Sequence, residues 1–253
     1  MDIYLSGISG IKKQLLSNEL KAEDIFALES FYSMQDWEKS FVGKFGKFML
    51  DSGAFTFMQK AKKIVWDEYI EQYAEFINKY DVKLFFELDI DGLIGLDNVE
   101  KLRSKLERLT NKQPIPVWHI NRGKDYFIDM CKNYPYVALG GIAGAGDVAT
   151  RKKAMKYFPW FINTAHKYNA KIHGLGFTQT NKLDVYNFDS VDSTTWTNAG
   201  RFGEIHRFNG KFIERITSIE KGQKIRNLKN PSTAAIHNFK EWLKFQDYAR
   251  KNL

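Results

Sequence analysis

The sequence predicts an α/β fold, a single (β/α)8 barrel, from three observations. Eight short apolar runs recur along the chain, helical patterns fill the intervals, and the whole cycle fits within 253 residues. Apolar runs of this length, bounded by Gly, Asp and Asn, read as strands buried on both faces, as a parallel sheet covered by helices requires. Eight such units in about 250 residues match a closed barrel better than an open doubly wound sheet. Residues 1–253 are expected to form one domain.

The runs are IYLSGIS (3–9), IFALESFYS (25–33), FMLDSGAF (48–55), LFFELDI (84–90), IPVWHI (115–120), YVALGG (136–141), KIHGLGF (171–177) and SVDST (190–194). The clearest helix covers 66–80, where Trp66, Tyr69, Ile70, Tyr73, Phe76, Ile77 and Tyr80 recur at i, i+3, i+4, i+7 and mark one apolar face. Further helices are predicted over 97–109 with Asp97 as cap, over 124–133, 150–168 and 232–250, and over about 181–188. Pro159 is expected to end or kink the helix over 150–168. After the eighth strand, EIHRFNGKFIERI (204–216) alternates around Asn209-Gly210 and predicts an inserted β-hairpin with a two-residue turn. Its Arg and Lys side chains either touch a large substrate at the barrel mouth or decorate a plain loop excursion.

Composition narrows the function classes. With 43% apolar and 15% aromatic residues and only 5 Pro, the chain can bury a sizeable core, which excludes disordered and collagen-like classes. The 38 Lys+Arg against 30 Asp+Glu leave a net charge of +8, which raises the odds of a nucleic-acid partner. Cys131 is the only cysteine, so a disulfide within the chain and a Cys-based zinc cluster are ruled out. It reads as a small core or helix-face residue. The opening MDIYLSGISG lacks the features of a signal peptide, and no run approaches the roughly 18 apolar residues of a span. A cytoplasmic protein without a membrane partner is expected.

In such a barrel the active site lies at the C-terminal ends of the strands. Those ends are rich in acid and glycine: Asp51, Asp89, His119, Gly140-Gly141, Gly174 with Gly176, and Asp192. Three carboxylates facing one mouth repel, so at least one is pushed toward its protonated form, dividing the site into an acid and a nucleophile or base. Glycosyl chemistry uses that division. The cluster GGIAGAG (140–146) lacks the spacing of a nucleotide fingerprint and suits a backbone wall against a flat heterocycle, or a tight turn leaving the sixth strand.

With these positions in hand, the chain resembles the tRNA-guanine transglycosylase superfamily, most of all its DpdA-like deazaguanine DNA transglycosylases of phages and bacteria. The motifs are DSGAFT (51–56) for the family's D-S-G-G-F-Q, Leu88-Asp89, GGIAG (140–144) for G-G-L-A-V-G, and HGLG (173–176) for M-G-V-G. The nucleophile segment F-D-C-V-x-P-T-R-x-A-R-N-G aligns without gaps to VDSTTWTNAGRFG (191–203), matching at Asp192, Thr197, Arg201 and Gly203.

The resemblance implies a base exchange in DNA by double displacement, with no cofactor. Asp192 would attack the anomeric carbon of a guanosine nucleotide and release guanine, and Asp51 would manage protons on the leaving and entering bases. Asp89 would accept hydrogen bonds from the N1 and N2 edge of the ring, beside Ser52, with backbone donors at Gly140 and Gly141. A free 7-deazaguanine such as 7-cyano-7-deazaguanine would then attack the covalent intermediate. Arg201 and Arg207 would grip phosphates.

The departures sharpen this. The zinc subdomain of tRNA-directed members cannot be built with one cysteine, so no metal is expected and DNA is favoured over tRNA. Where many members carry V-Q-G-G after the fifth strand, WHIN stands at 118–121, so His119 or Asn121 replaces the base-reading Gln. The family's Pro is Trp196, either a stacking surface for a splayed base or ordinary core. Other readings are a tRNA-directed enzyme, a non-catalytic nucleic-acid-binding subunit, and a glycoside hydrolase suggested by FFELDIDGL. In the last, Glu87 is expected to alternate away from Leu88, the neighbour of Asp89, rather than to define a second catalytic site.

Overall fold

The computed structural model describes residues 1–53, 64–140, 155–177, 179–198, 204–216 and 231–253. Eight strands form one all-parallel sheet: β1 (Asp2–Ser6), β2 (Phe26–Ser30), β3 (Lys47–Asp51), β4 (Leu84–Phe85), β5 (Val117–Trp118), β6 (Tyr136–Leu139), β7 (Lys171–Gly174) and β8 (Ser190–Ser193). Their order is β4-β3-β2-β1-β8-β7-β6-β5. The two end strands meet through a parallel bridge between Phe86 and Ile115, with Glu87 N–H donating to the Ile115 carbonyl at 3.0 Å. The sheet thus curls back on itself as in a (β/α)8 barrel.

Among the described residues the helices are α1 (Lys12–Leu16), α2 (Asp36–Lys39), α3 (Trp66–Lys79), α4 (Asp91–Ile94), α5 (Leu96–Thr110), α6 (Gly123–Asn133), α7 (Phe158–Lys167) and α8 (Pro231–Asn252). On α3 the predicted stripe buries Ile70, Tyr73, Phe76 and Ile77. The Tyr73 hydroxyl donates to the carbonyls of Leu50 and Phe86, tying β3 and the end of β4 to this helix. Cys131 is buried on α6.

Local expectations shift in four places. Pro159 stands in the first turn of α7, where its missing N–H would have had no partner anyway; the helix predicted over 150–168 is broken ahead of it by a turn at 156–157 and resumes at Phe158. Asp97 is not the cap of α5. Gly95 is, and Asp97 lies in the first turn, where its charge suits the helix dipole. The stretch 181–188 forms only a 3-10 turn at Thr180–Lys182.

The fourth is the turn between β9 (Ile205–Phe208) and β10 (Ile213–Ile216), which pair antiparallel from Ile213↔Phe208 outward, so four residues connect them rather than two. The Asn209 side chain accepts from the N–H groups of Lys211 and Phe212, and Gly210 takes φ +97°. The side chain thus builds the turn itself. The free edge of β9 is covered by α8: Asn238 accepts from His206 N–H and Glu241 from Phe208 N–H.

Strand alternation decides what faces the barrel axis. Tyr4, Phe26, Leu28, Met49, Phe86, Ile115, Val117 and Ala138 form one interior cluster. Ile3, Leu5, Leu139 and Val191 instead join the layer under the helices, with Phe239 and Phe245 of α8. Continuing the inward parity to the C-terminal ends gives Ser6, Asp51, His119, Gly140 and Asp192. Asp51 stands two residues beyond Met49, and Asp192 two beyond Ser190, whose hydroxyl meets Tyr136 and His173 in the interior, so these two carboxylates share a side of the sheet.

Candidate active site

Asp192 is buried in β8, beside Tyr4 of β1 in the register. Its Oδ1 accepts the Gly176 N–H at 2.6 Å and lies 3.3 Å from His173 Nε2, and its Oδ2 lies 3.5 Å from the Ser6 hydroxyl. Asp51 ends β3, and its carboxylate accepts the Gly53 N–H at 2.9 Å. Burial first, then the charges of Asp89 and Asp192, push the Asp51 carboxyl up to about 7. All three groups stand at or just past the C-terminal ends of their strands, near enough for charge to act on Asp51. Near neutral pH Asp51 both gives and takes a proton readily, the property a group serving leaving and entering bases needs.

Asp89 follows β4, and its Oδ2 lies 3.1 Å from His119 Nε2; both side chains are largely covered, at 14% and 20% exposure. Gly140 stands against that pair, and its N–H donates to the Trp118 carbonyl at 2.8 Å in the sheet ladder, so it is not the free backbone donor expected for a base. A Cβ there would lie 2.6 Å from both His119 Cε1 and Val117 Cγ1. Gly140→Ala is therefore expected to push His119 off Asp89 and to cost about 1–3 kcal/mol of stability. Denaturant melts would read the loss, and a variant as stable as wild type would show that His119 has room to move.

The remaining predicted residues fall into three groups. Ser52 is fully buried, with its carbonyl accepting the Tyr69 hydroxyl at 2.6 Å, so it presents no surface to a base as the site stands. Arg207 is exposed on β9, but its guanidinium already pairs with Glu214 at 2.7 Å. Gly141 and Arg201 lie outside the described residues.

Of the two readings of Trp196 the structure decides for core, and its use as a stacking surface is withdrawn. The indole is fully buried, donates to the Ser6 carbonyl at 2.8 Å and packs edge-on against Phe239 at 4.8 Å. It leaves no face for a base. Asn121 donates to Asp91 at 2.7 Å rather than meeting Asp89. Glu87 faces away from the mouth, fully buried between Arg103 at 3.0 Å and Arg122 at 2.7 Å. A buried ion pair of that kind holds elements together and leaves no acid for a glycosidase reading.

Two site neighbours carried no signal of their own in the sequence. One is His173; the other is Glu29, at the end of β2. Glu29 is buried and accepts the N–H groups of Gly7 at 2.7 Å and Ile8 at 2.8 Å. Burial chiefly, with the charges of Glu38 and Asp51 adding to it, pushes its carboxyl up to about 8. Its position at a strand end was the available clue. Because the fold raises this pKa, the stability linked to the group is present at low pH and is lost as pH climbs from the ordinary carboxylate range through about 8. Glu29→Gln keeps an acceptor for both N–H groups and cannot ionise. Its Tm is expected to gain on wild type steadily between pH 4.5 and 8, and parallel curves would sink the assignment.

Fold and site together define a class: an α/β chain with an eight-stranded parallel sheet curled as in a (β/α)8 barrel, carrying Asp51, Asp89 and Asp192 at its C-terminal strand ends, with the Asp51 carboxyl raised to about 7. No protein-family model matches the chain, and no curated protein does. Among solved structures the chain is similar to the carboxyl transferase domain of Rhizobium etli pyruvate carboxylase. The form with oxalate aligns at TM-score 0.49 and 13% identity, and the form with pyruvate at 0.45 and 13%. Each alignment covers 98% of this chain and 48% of the other, so the chain spans about half the length of those structures. Nothing about chemistry passes from a likeness at that level. Among the described residues, no helix is long and apolar enough to cross a membrane.

Proposed function

We propose that the protein exchanges guanine in DNA for a 7-deazaguanine through a covalent glycosyl-enzyme. The observation that carries this reading is the placing of Asp51, Asp89 and Asp192 at the C-terminal strand ends of one curled sheet, with the Asp51 carboxyl raised to about 7 chiefly by burial and further by the charges of the other two. Asp192 attacks the anomeric carbon, and Asp51 protonates the departing guanine. Asp89, steadied by His119, accepts from the N1 and N2 edge of the purine. The incoming deazaguanine then gives its proton to Asp51 as its nitrogen takes the sugar carbon, which restores Asp192 as a carboxylate and Asp51 as an acid. A duplex target must leave its stack first, at a cost of a few kcal/mol. DNA is preferred over tRNA because one cysteine supplies no zinc subdomain.

Mass spectrometry of nucleosides from the DNA and the tRNA of cells expressing this chain, with a deazaguanine supplied, tests the reading. A deazaguanine deoxynucleoside is the expected product. Modified tRNA alone would move the substrate to RNA, and unmodified DNA and tRNA would favour the non-catalytic subunit.

A further inference from the structure

Beneath Asp192 the barrel holds a polar column that the exchange chemistry leaves unused. His173 of β7 is fully buried among the rings of Tyr4 and Phe86, with centroids at 6.2 and 5.4 Å. Its Nδ1 lies 2.5 Å from Ser190 Oγ, and that oxygen lies 2.5 Å from the Tyr136 hydroxyl. Its Nε2 lies 3.3 Å from Asp192 Oδ1. Side chains of β6, β7 and β8 thus form one hydrogen-bonded chain that ends on the candidate nucleophile. The grouping of Ser190, His173 and Asp192 is that of a hydrolase triad, but Ser190 is fully buried and meets no substrate. The open end is the carboxylate.

The direction of donation follows from valence. A carboxylate oxygen only accepts, so a bond from the ring to Asp192 as a carboxylate requires the proton on Nε2, donated to Oδ1. Nδ1 then accepts from the Ser190 hydroxyl, whose oxygen accepts from Tyr136. Oδ1 also takes the Gly176 N–H at 2.6 Å, whereas Oδ2 is met at 3.5 Å by the Ser6 hydroxyl. We infer that His173 is a positioning residue that anchors Oδ1, so that Oδ2 is the oxygen presented to the anomeric carbon.

This role rests on the base-exchange reading, whereas the order of the hydrogen bonds does not. In the first displacement an Oδ2 electron pair forms the bond to carbon as the carbon–nitrogen bond breaks, and guanine departs with the Asp51 proton. In the second, the deazaguanine nitrogen takes the carbon, its proton passes to Asp51, and the bonding pair returns to Oδ2. His173 transfers no proton. It keeps Oδ1 oriented and receives the returning negative charge through its N–H.

Two measurements test it on the full chain. Side-chain ¹H–¹⁵N spectra of the histidines, with His173 assigned by its absence in His173→Gln, are expected to show the Nε2–H form and a shift of Nδ1 in Ser190→Ala and Tyr136→Phe. A proton on Nδ1 without one on Nε2 would overturn the relay. In covalent trapping on a guanine oligonucleotide, His173→Leu is expected to lose up to about 100-fold in rate at saturation with KM unchanged. His173→Gln, whose amide still donates, should recover to within a few-fold. Trapping by folded His173→Leu at the wild-type rate would overturn the positioning role. Wild-type protein that traps nothing would overturn the exchange reading, and the spectra would still decide the relay.

Discussion

Asp192→Asn is expected to abolish covalent trapping on a guanine-containing oligonucleotide, with exchange falling by at least about 10³-fold. The reason is chemical rather than structural. Asn keeps an oxygen that accepts the Gly176 N–H and the His173 donor, so the top of β8 stays in place. What it lacks is a charged oxygen able to bond to the anomeric carbon. Intact-protein mass spectrometry after denaturing quench reads the adduct directly, and a thermal melt checks the fold. Unchanged exchange in this variant would remove Asp192 from the mechanism and the double displacement with it.

Asp51→Asn has two opposed consequences. Exchange should fall by about 10²–10⁴-fold, the usual worth of a positioned acid or base. Stability should rise. The fold lifts the Asp51 carboxyl from its ordinary 3.8 to about 7, so folding takes up a proton between those values. The stability linked to this group is present below the ordinary carboxylate range and is lost as pH climbs through about 7. Asn carries no such dependence. The Tm advantage of the variant should therefore widen from pH 4 to 7 and level above it. Wild-type exchange limited by guanine departure should decline as pH rises through about 7. A variant that gains nothing in Tm would show that Asp51 is not strained by its neighbours, and the acid role would go with that strain.

The two effects share one cause. Burying the Asp51 carboxyl costs stability, and the same burial, reinforced by the charges of Asp89 and Asp192, holds its proton near neutrality. Glu29 shows the bias spreading to the next strand, since the charge of Asp51 is among the things that raise it.

Much of this was legible residue by residue. All eight strands overlap the apolar runs, with β1 and β3 beginning one residue earlier, and α3, α5 and α6 lie within about two residues of their patterns. Local periodicity carries that information. Trp196 was undecidable from sequence because its partners, Ser6 and Phe239, lie far along the chain in both directions. His173 was silent for a related reason: its meaning depends on the register of β7 against β8, which sets it beside Ser190. The four-residue connection at Asn209 was missed because the Asn side chain replaces a backbone turn bond.

Taken alone, the sequence determined where strands and helices begin and that acids and glycines stand at strand ends, because side-chain periodicity and backbone preference act over a few residues. Only the tertiary structure decided which of those ends face one another, which proton is held and which oxygen is left open. Those properties come from charges and donors on strands separated by up to 186 positions in the chain, between Ser6 and Asp192, and Coulomb forces read distance through space rather than along the backbone.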